Sequence, residues 1–165
     1  MASAIMMPPT TTLAALNSNC PALGEVCYYG GNFYRFVKHV NAVTVVVGHS
    51  AEFTNVACTN VTNDRAGGAA TPIGTQLLCA GIYISIPAAN EYCFLQVSGI
   101  ALVLGDGSVA AGEAVILHSV DGQADTMAAG EEHQVFGYAL DADDTANDPL
   151  ATSALFHCML TNCAF

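Results

Sequence analysis

Short apolar runs that alternate with polar residues, or that consist of β-branched residues, recur along the chain after residue 33. The alternation is regular in Tyr34–Val40, and isoleucine occupies positions 82, 84 and 86 ahead of Pro87. A period of two is typical of strands, and the Gly-Asp-Gly and Asp-Gly sequences between the runs are typical of tight turns. The pattern therefore predicts an all-β fold, a small β-barrel or β-sandwich. The further predicted strands are Val43–Val47, Thr75–Ile86, Tyr92–Val97, Ile100–Leu104, Ala114–Val120, Gln134–Leu140 and Ser153–Leu160.

The first 32 residues lack this pattern and contain three prolines among clusters of Thr and Asn. Proline and short polar residues favour irregular, extended backbone. We therefore expect residues 1–32 to form an extended N-terminal arm and residues 33–165 to form a β-rich domain.

Two local features leave alternatives open. Residues 50–61 could form a helix capped by Ser50, and the alternation of apolar positions in the same stretch equally favours a strand. The sequence Ala-Ala-Gly-Glu occurs in both Val109–Glu113 and Met127–Glu131. The two copies mark either equivalent corners of two hairpins or a coincidence in a chain rich in Ala and Gly.

Acidic residues far outnumber basic ones, since 14 Asp and Glu face 3 Lys and Arg and the net charge is −11. Residues 66–165 contain neither Lys nor Arg, whereas the first 65 residues are neutral overall. Such a chain repels phosphate backbones and anionic membranes, so we expect no nucleic acid and no membrane as partner. Only 10% of the residues are charged, against roughly 25% on average, and this charge-poor composition suits a subunit of an assembly.

Seven cysteines, an odd number, are spread along the chain, and no basic, signal-like segment precedes them. We expect reduced thiols, several of them buried as small hydrophobic residues. The alternative is one bridge formed after release from a cell.

No motif in the chain holds a complete set of catalytic or ligand residues. Gly105–Ala110 fits a lax dinucleotide fingerprint, but the strand-like Ala114–Leu117 leaves no room for the helix that binds the pyrophosphate. Gly48–Glu52 lacks the second glycine of a nucleophile elbow, and the histidines and cysteines lack zinc spacing. Asp141–Pro149 lacks the glycine and the terminal Glu of an EF-hand loop. We therefore predict no catalytic residue, no metal site and no cofactor.

Aromatic residues concentrate between positions 28 and 36, where they flank Arg35. Aromatic and Arg side chains are the usual anchors of protein interfaces, and aromatics also fill cores. A rival function is a soluble β-barrel module that binds a carbohydrate or an apolar ligand through these aromatics. The expected interface residues are Met6, Met7, Tyr28, Tyr29, Phe33, Tyr34, Arg35 and Phe36.

Three segments carry a resemblance to a known family. Val97–Leu117 ends in Ala-Ala-Gly-Glu-Ala-Val-Ile-Leu, Asp121-Gly122 follows, and Val135–Leu140 has the sequence Val-Phe-Gly-Tyr-Ala-Leu. This succession resembles the head decoration, or capsid cement, proteins of tailed bacteriophages, and it covers about residues 95–140. The chain departs from the family pattern in its cysteine content and in its irregular first ninety residues.

The resemblance implies a β-barrel or β-tulip-like subunit without enzyme activity. Its implied role is that of a structural virion protein, which binds the outer surface of a phage head and stabilises contacts between capsomers. The implied partners are the major capsid protein and further copies of the chain, in a dimer or trimer. The implied location is the capsid exterior, after assembly in the host cytoplasm.

Overall fold

The computed structural model of the chain describes residues 3–4, 8–41, 43–65, 78–143, 154–161 and 163. These residues form eleven strands and one short 3-10 helix, Glu132–Gln134, and no α-helix occurs among them. The all-β prediction is therefore confirmed. Across the described residues, no helix has the length and apolar character needed to span a bilayer. The strands are β1 (Ser3–Ala4), β2 (Val26–Tyr29), β3 (Asn32–His39), β4 (Ser50–Phe53), β5 (Asn60–Thr62), β6 (Cys79–Tyr83), β7 (Tyr92–Leu104), β8 (Ala114–Leu117), β9 (Ala124–Thr126), β10 (Gly137–Ala139) and β11 (Leu155–Leu160).

Five strands close into a barrel in the order β3-β5-β4-β6-β7, because β7 pairs with both β6 and β3. Its interior is filled by side chains that alternate along these strands, among them Val37, Phe53, Tyr83 and Leu95, each at most 5% exposed. The first residues of β3, Asn32–Arg35, pair with β2, and β2 pairs with β1, so these two strands extend the sheet beyond the barrel. A second sheet extends from β7 in the order β7-β11-β10-β8-β9.

Strand β7 belongs to both sheets. It pairs with β3 as far as Ser98 and with β11 from Gly99 onward. Gly99 has a φ of +88°, and a Cβ at this position would collide with the Asn32 side chain, so the change of partner requires glycine. The predicted strands Tyr92–Val97 and Ile100–Leu104 are therefore one strand of thirteen residues.

The outer faces of the barrel strands are also apolar and are covered by other parts of the chain. On one side, Ile82 packs with Val103, Phe136 and Phe156 of the second-sheet region. On β2, β3 and β7 the apolar cluster of Cys27, Tyr34, Phe36 and Phe94 has partly buried residues packed on it. Each large apolar side chain that is buried contributes about 1.5–3 kcal/mol, so both faces favour a cover over contact with water.

Described residues of the N-terminal segment, from Leu13 to Leu23, supply one of these covers. Leu13 and Tyr92 exchange two backbone hydrogen bonds, of 2.9 and 2.8 Å, and Leu13 packs on the cluster that contains Phe36. Because β2 pairs with β3 in register, the predicted boundary between residues 32 and 33 falls inside a hairpin. Through this hairpin, β2 is continuous with the barrel strand β3.

The ambiguous segment 50–61 begins and ends with the antiparallel strands β4 and β5 and contains no helix. Asn55 sets the turn between them, because its Oδ1 accepts hydrogen bonds from the backbone N–H groups of Thr59 and Asn60. This local side-chain bonding competes with a helix, as Asn commonly does in turns.

The segment Val43–Val47, predicted as a strand, forms none. The Oδ1 of Asn41 accepts a hydrogen bond from the Val43 backbone N–H, which starts a turn at this point. Val45 is buried in the barrel core, whereas Val46 and Val47 are exposed. The turn chemistry of one Asn therefore overrides a β-branched run.

The repeated Ala-Ala-Gly-Glu sequence marks equivalent turns, and two related sequences form the same turn. In each, the backbone N–H of the first residue donates to the Oε2 of a Glu three residues on, at 2.8–2.9 Å, and the Glu N–H donates back to the first carbonyl. The third residue has a positive φ, which Gly and Asn tolerate best. The four turns are Ala22–Glu25, Ala88–Glu91, Ala110–Glu113 and Ala128–Glu131.

Candidate functional site

Three aromatic side chains are exposed on the β2–β3 hairpin. Tyr28, Tyr29 and Phe33 are 48%, 43% and 37% exposed, and we call Tyr28 and Phe33, which share one face of the hairpin, the hairpin patch. Tyr28 and Phe33 are register partners whose ring centroids lie 5.4 Å apart. The two-residue turn consists of Gly30 and Gly31, both with positive φ, which is the geometry of a tight hairpin. The hairpin therefore holds the aromatic surface in a defined position.

The other predicted interface residues do not reach this surface. Tyr34, Arg35 and Phe36, also predicted as contact residues, are 7%, 3% and 0% exposed and are buried within the described part of the chain. Alternation along β3 directs Tyr34 and Phe36 into the cluster under the N-terminal residues, while the Arg35 guanidinium lies 5.2 Å from the centre of the Phe53 ring. Met6 and Met7 lie outside the described residues.

A second exposed apolar surface lies on the second sheet. Ile100 of β7, Met159 of β11 and Tyr138 of β10 are neighbours in register, and we call them the sheet row. They are 51%, 37% and 49% exposed, and residues directly opposite in a sheet share one face. Leu140, just beyond β10, is 49% exposed.

The hairpin patch and the sheet row are adjacent along β7. Phe33 pairs with Ser98, and Met159 pairs with Ile100, two residues further along β7. Sequence reasoning missed the sheet row because its three members come from separate segments. The available signal was the alternation in β11, which places Met159 on the same face as the exposed His157.

All three basic side chains of the chain are engaged within the protein. The Nη1 of Arg65 lies 2.9 Å from the Oε2 of Glu52, and Arg35 is buried in the barrel. The Nζ of Lys38 lies 5.9 Å from the centre of the Tyr92 ring. Burial raises the pKa of Glu52, and the Arg65 charge opposes this rise. The chain therefore offers an anionic partner little free positive charge.

A buried polar group joins the barrel to the β8–β9 turn. Ser50 Oγ donates to the carbonyl oxygens of Gly122 and Gln123, at 3.1 and 3.0 Å. The Nδ1 of His49 accepts a hydrogen bond from the Nδ2 of Asn63, at 3.0 Å, and burial lowers the pKa of His49. His49 itself is only 9% exposed. Both side chains are used for internal hydrogen bonds.

Asp106, His118 and Asp125 converge, with one potential metal-ligand atom from each lying within 4.8 Å of the others. The Nδ1 of His118 accepts a hydrogen bond from the Val120 backbone N–H, so the neutral ring carries its proton on Nε2. This Nε2 lies 3.9 Å from the Oδ2 of Asp125. A metal at Nε2 would need the opposite tautomer, which the Val120 N–H disfavours.

The Gly105–Gly107 segment that resembled a dinucleotide fingerprint leads into no helix.

The described part of the acidic loop is bonded to its surroundings. The Oδ2 of Asp141 lies 2.7 Å from the Nδ1 of His157, and the Oδ2 of Asp143 accepts a hydrogen bond from the Gly107 N–H at 2.7 Å. Partial burial raises the pKa of Asp141, but the hydrogen bonds from His157 outweigh it and the net pKa is lowered. Residues 144–149, which complete the EF-hand-like stretch, lie outside the described residues.

No protein-family profile matches the chain, and no curated protein matches it.

Proposed function

We propose that this chain is a structural virion protein, a decoration or cement subunit that binds the outer surface of a phage head and stabilises contacts between capsomers. The observation that carries the proposal is the pair of adjacent exposed apolar surfaces, the hairpin patch and the sheet row, on a charge-poor β-protein. Contiguous exposed apolar surface marks contact with other chains. The resemblance over about residues 95–140 is the reason for proposing a phage head as the assembly that the protein binds.

The proposed partners are the major capsid protein and further copies of this chain on the capsid exterior. A large aromatic anchor on a rigid hairpin suits such contacts, because little conformational entropy is lost on binding. The many equivalent sites of a shell would strengthen weak individual contacts between neighbouring copies. With its basic residues engaged, the protein would attach mainly through apolar area and neutral hydrogen bonds.

The test mixes the full-length protein with undecorated heads assembled from the major capsid protein encoded with this chain. Sedimentation should recover the protein with the heads in a fixed ratio, and decorated heads should resist heat longer than bare ones. Recovery of free protein only, at concentrations that saturate known head-binding proteins, would contradict the proposal.

The rival function is a soluble module that binds a carbohydrate. The barrel interior is filled by residues such as Phe53, Tyr83 and Leu95, so a sugar would have to stack outside, on Tyr28 and Phe33. Titration with a panel of glycans separates the two functions. Saturable glycan binding without head binding would favour the module.

A further inference from the structure

Two cysteines from distant parts of the chain meet in the core shared by the barrel and the second sheet. The Sγ of Cys163 lies 4.0 Å from the Sγ of Cys79, although the two residues are 84 positions apart. Cys79 begins β6 of the barrel, and Cys163 follows β11 of the second sheet. Both thiols are free, and the residues are 2% and 0% exposed.

We propose that Cys79 and Cys163 form an intramolecular disulfide when the protein meets a small disulfide oxidant. A disulfide requires a sulfur–sulfur separation of about 2.05 Å, which rotation about the side-chain bonds of two facing cysteines can supply. The cross-link would join the barrel covalently to the end of the second sheet. This inference goes beyond the proposed function and does not depend on it.

The other five cysteines are less suited to this reaction. Cys27 and Cys93 belong to two different apolar clusters, and Cys20 and Cys58 lie in partly exposed turns. Cys158 lies in the same buried cluster as the proposed pair. The experiment must therefore distinguish a disulfide through Cys158 from the proposed disulfide. The structure describes all seven cysteines. The 4.0 Å contact between two sulfur atoms joins Cys79 and Cys163.

The reaction is a two-step exchange with oxidised glutathione. The thiolate of one cysteine attacks the glutathione disulfide, which forms a mixed disulfide and releases one reduced glutathione. The second protein thiolate then attacks the protein sulfur of the mixed disulfide and releases the second reduced glutathione. Two electrons and two protons pass in total from the protein thiols to the oxidant.

Burial of Cys79 and Cys163 limits the rate of this disulfide exchange. The hydrogen bond with Cys79 and burial raise the pKa of Cys163 well above its usual value, and Arg35 opposes this rise. The Cys163 thiolate is therefore scarce at neutral pH, and cross-linking should be faster in mildly alkaline buffer.

The test incubates the full-length protein with oxidised glutathione and, in parallel, with a reducing agent. The intact mass should fall by two hydrogen atoms, and peptides from a non-reducing digest should link Cys79 to Cys163. Residues 66–165 contain no Lys or Arg, so trypsin cannot separate these cysteines. A protease specific for acidic residues, combined with cleavage after Leu160, separates Cys163 from Cys158.

Matched variants complete the test. Cys79→Ala and Cys163→Ala should each abolish the link, whereas Cys158→Ala should retain it. Because the cross-link closes a long loop, the oxidised protein should melt higher than the reduced protein by something of the order of 10 °C. A link through Cys158, a stable mixed disulfide at either cysteine, or unchanged mass would overturn the proposal. Head binding enters none of these measurements, so the proposed function stands or falls separately.

Discussion

Four glutamates hold turns by bonding back to the residue three positions earlier. In the turn that ends at Glu113, Oε2 accepts the Ala110 N–H at 2.8 Å, and Gly112 has a φ of +86°. Such a hydrogen bond satisfies a backbone donor that the turn would otherwise leave to water. The Ala110–Glu113 sequence, which contributes to the family resemblance, thus has a local structural role in this chain.

Substitution of Glu113 tests this role. Glu113→Ala should lower the free energy of unfolding by about 0.5–1 kcal/mol, the net contribution of one hydrogen bond. Glu113→Gln keeps an acceptor oxygen and should lose less. Urea unfolding followed by circular dichroism measures the difference, and equal losses in both variants would show that the Oε2 contact contributes nothing.

His49 gives stability a pH dependence. Burial lowers the pKa of His49 from 6.5, so the unfolded chain binds a proton more readily than the folded protein. Stability from neutral His49 is therefore fully present above pH 6.5 and is lost as the pH falls toward the folded-state pKa.

The matched variant is His49→Gln, which offers Asn63 an acceptor and does not titrate. Its stability should fall less than that of the natural chain between about pH 7.5 and about pH 5.5. His39 titrates in both proteins, so the comparison isolates His49. Parallel pH profiles of the two proteins would contradict this account.

Among the larger elements, the N-terminal segment is a cover for the barrel. Leu13 bonds to Tyr92 through the backbone and packs on the cluster around Phe36 and Phe94. Deleting residues 1–19 would expose that cluster to water. The deletion should therefore destabilise the barrel as well as change any contact that the segment makes with a partner.

Single substitutions measure this contribution. Leu13→Ala should lower the free energy of unfolding by about 1–2 kcal/mol, less than a fully buried leucine would. Leu16→Ala is the control, because Leu16 is 48% exposed in the same segment and should change stability by less than about 0.5 kcal/mol. If the two variants were equally stable, the segment would not be a cover.

The strands show which parts of the fold could be predicted from the sequence pattern and which could not. Tyr34–Val40 overlaps β3, but this strand is buried on both faces, so that Arg35 and His39 are buried together with the apolar residues. The same pattern could not show that Tyr34 and Phe36 are covered, since the covering residues have no periodicity. The sheet row could not be predicted from the sequence either, because the register between β7, β10 and β11 is set by long-range pairing.

For the whole molecule, the layout of charge predicts how attachment responds to salt. The three basic residues are internally engaged, and the surface charge is mainly acidic. Apolar contacts are not screened, whereas repulsion between acidic subunits is. Head binding should therefore stay constant or strengthen between about 50 and 500 mM salt. A steep loss of binding over this range would indicate that ion pairs hold the complex.

The most direct test of the central claim compares head binding by three variants of the full-length protein. Phe33→Ser alters the hairpin patch, Met159→Ser alters the sheet row, and Val56→Ser alters a valine that is 85% exposed in the β4–β5 turn. Circular dichroism and melting first establish that each variant is folded. Loss of an anchor residue should weaken binding about tenfold or more for Phe33→Ser and measurably for Met159→Ser, and leave Val56→Ser close to the natural chain. Undiminished binding by folded Phe33→Ser and Met159→Ser, or loss confined to Val56→Ser, would contradict the claim that these apolar surfaces attach the protein to the head.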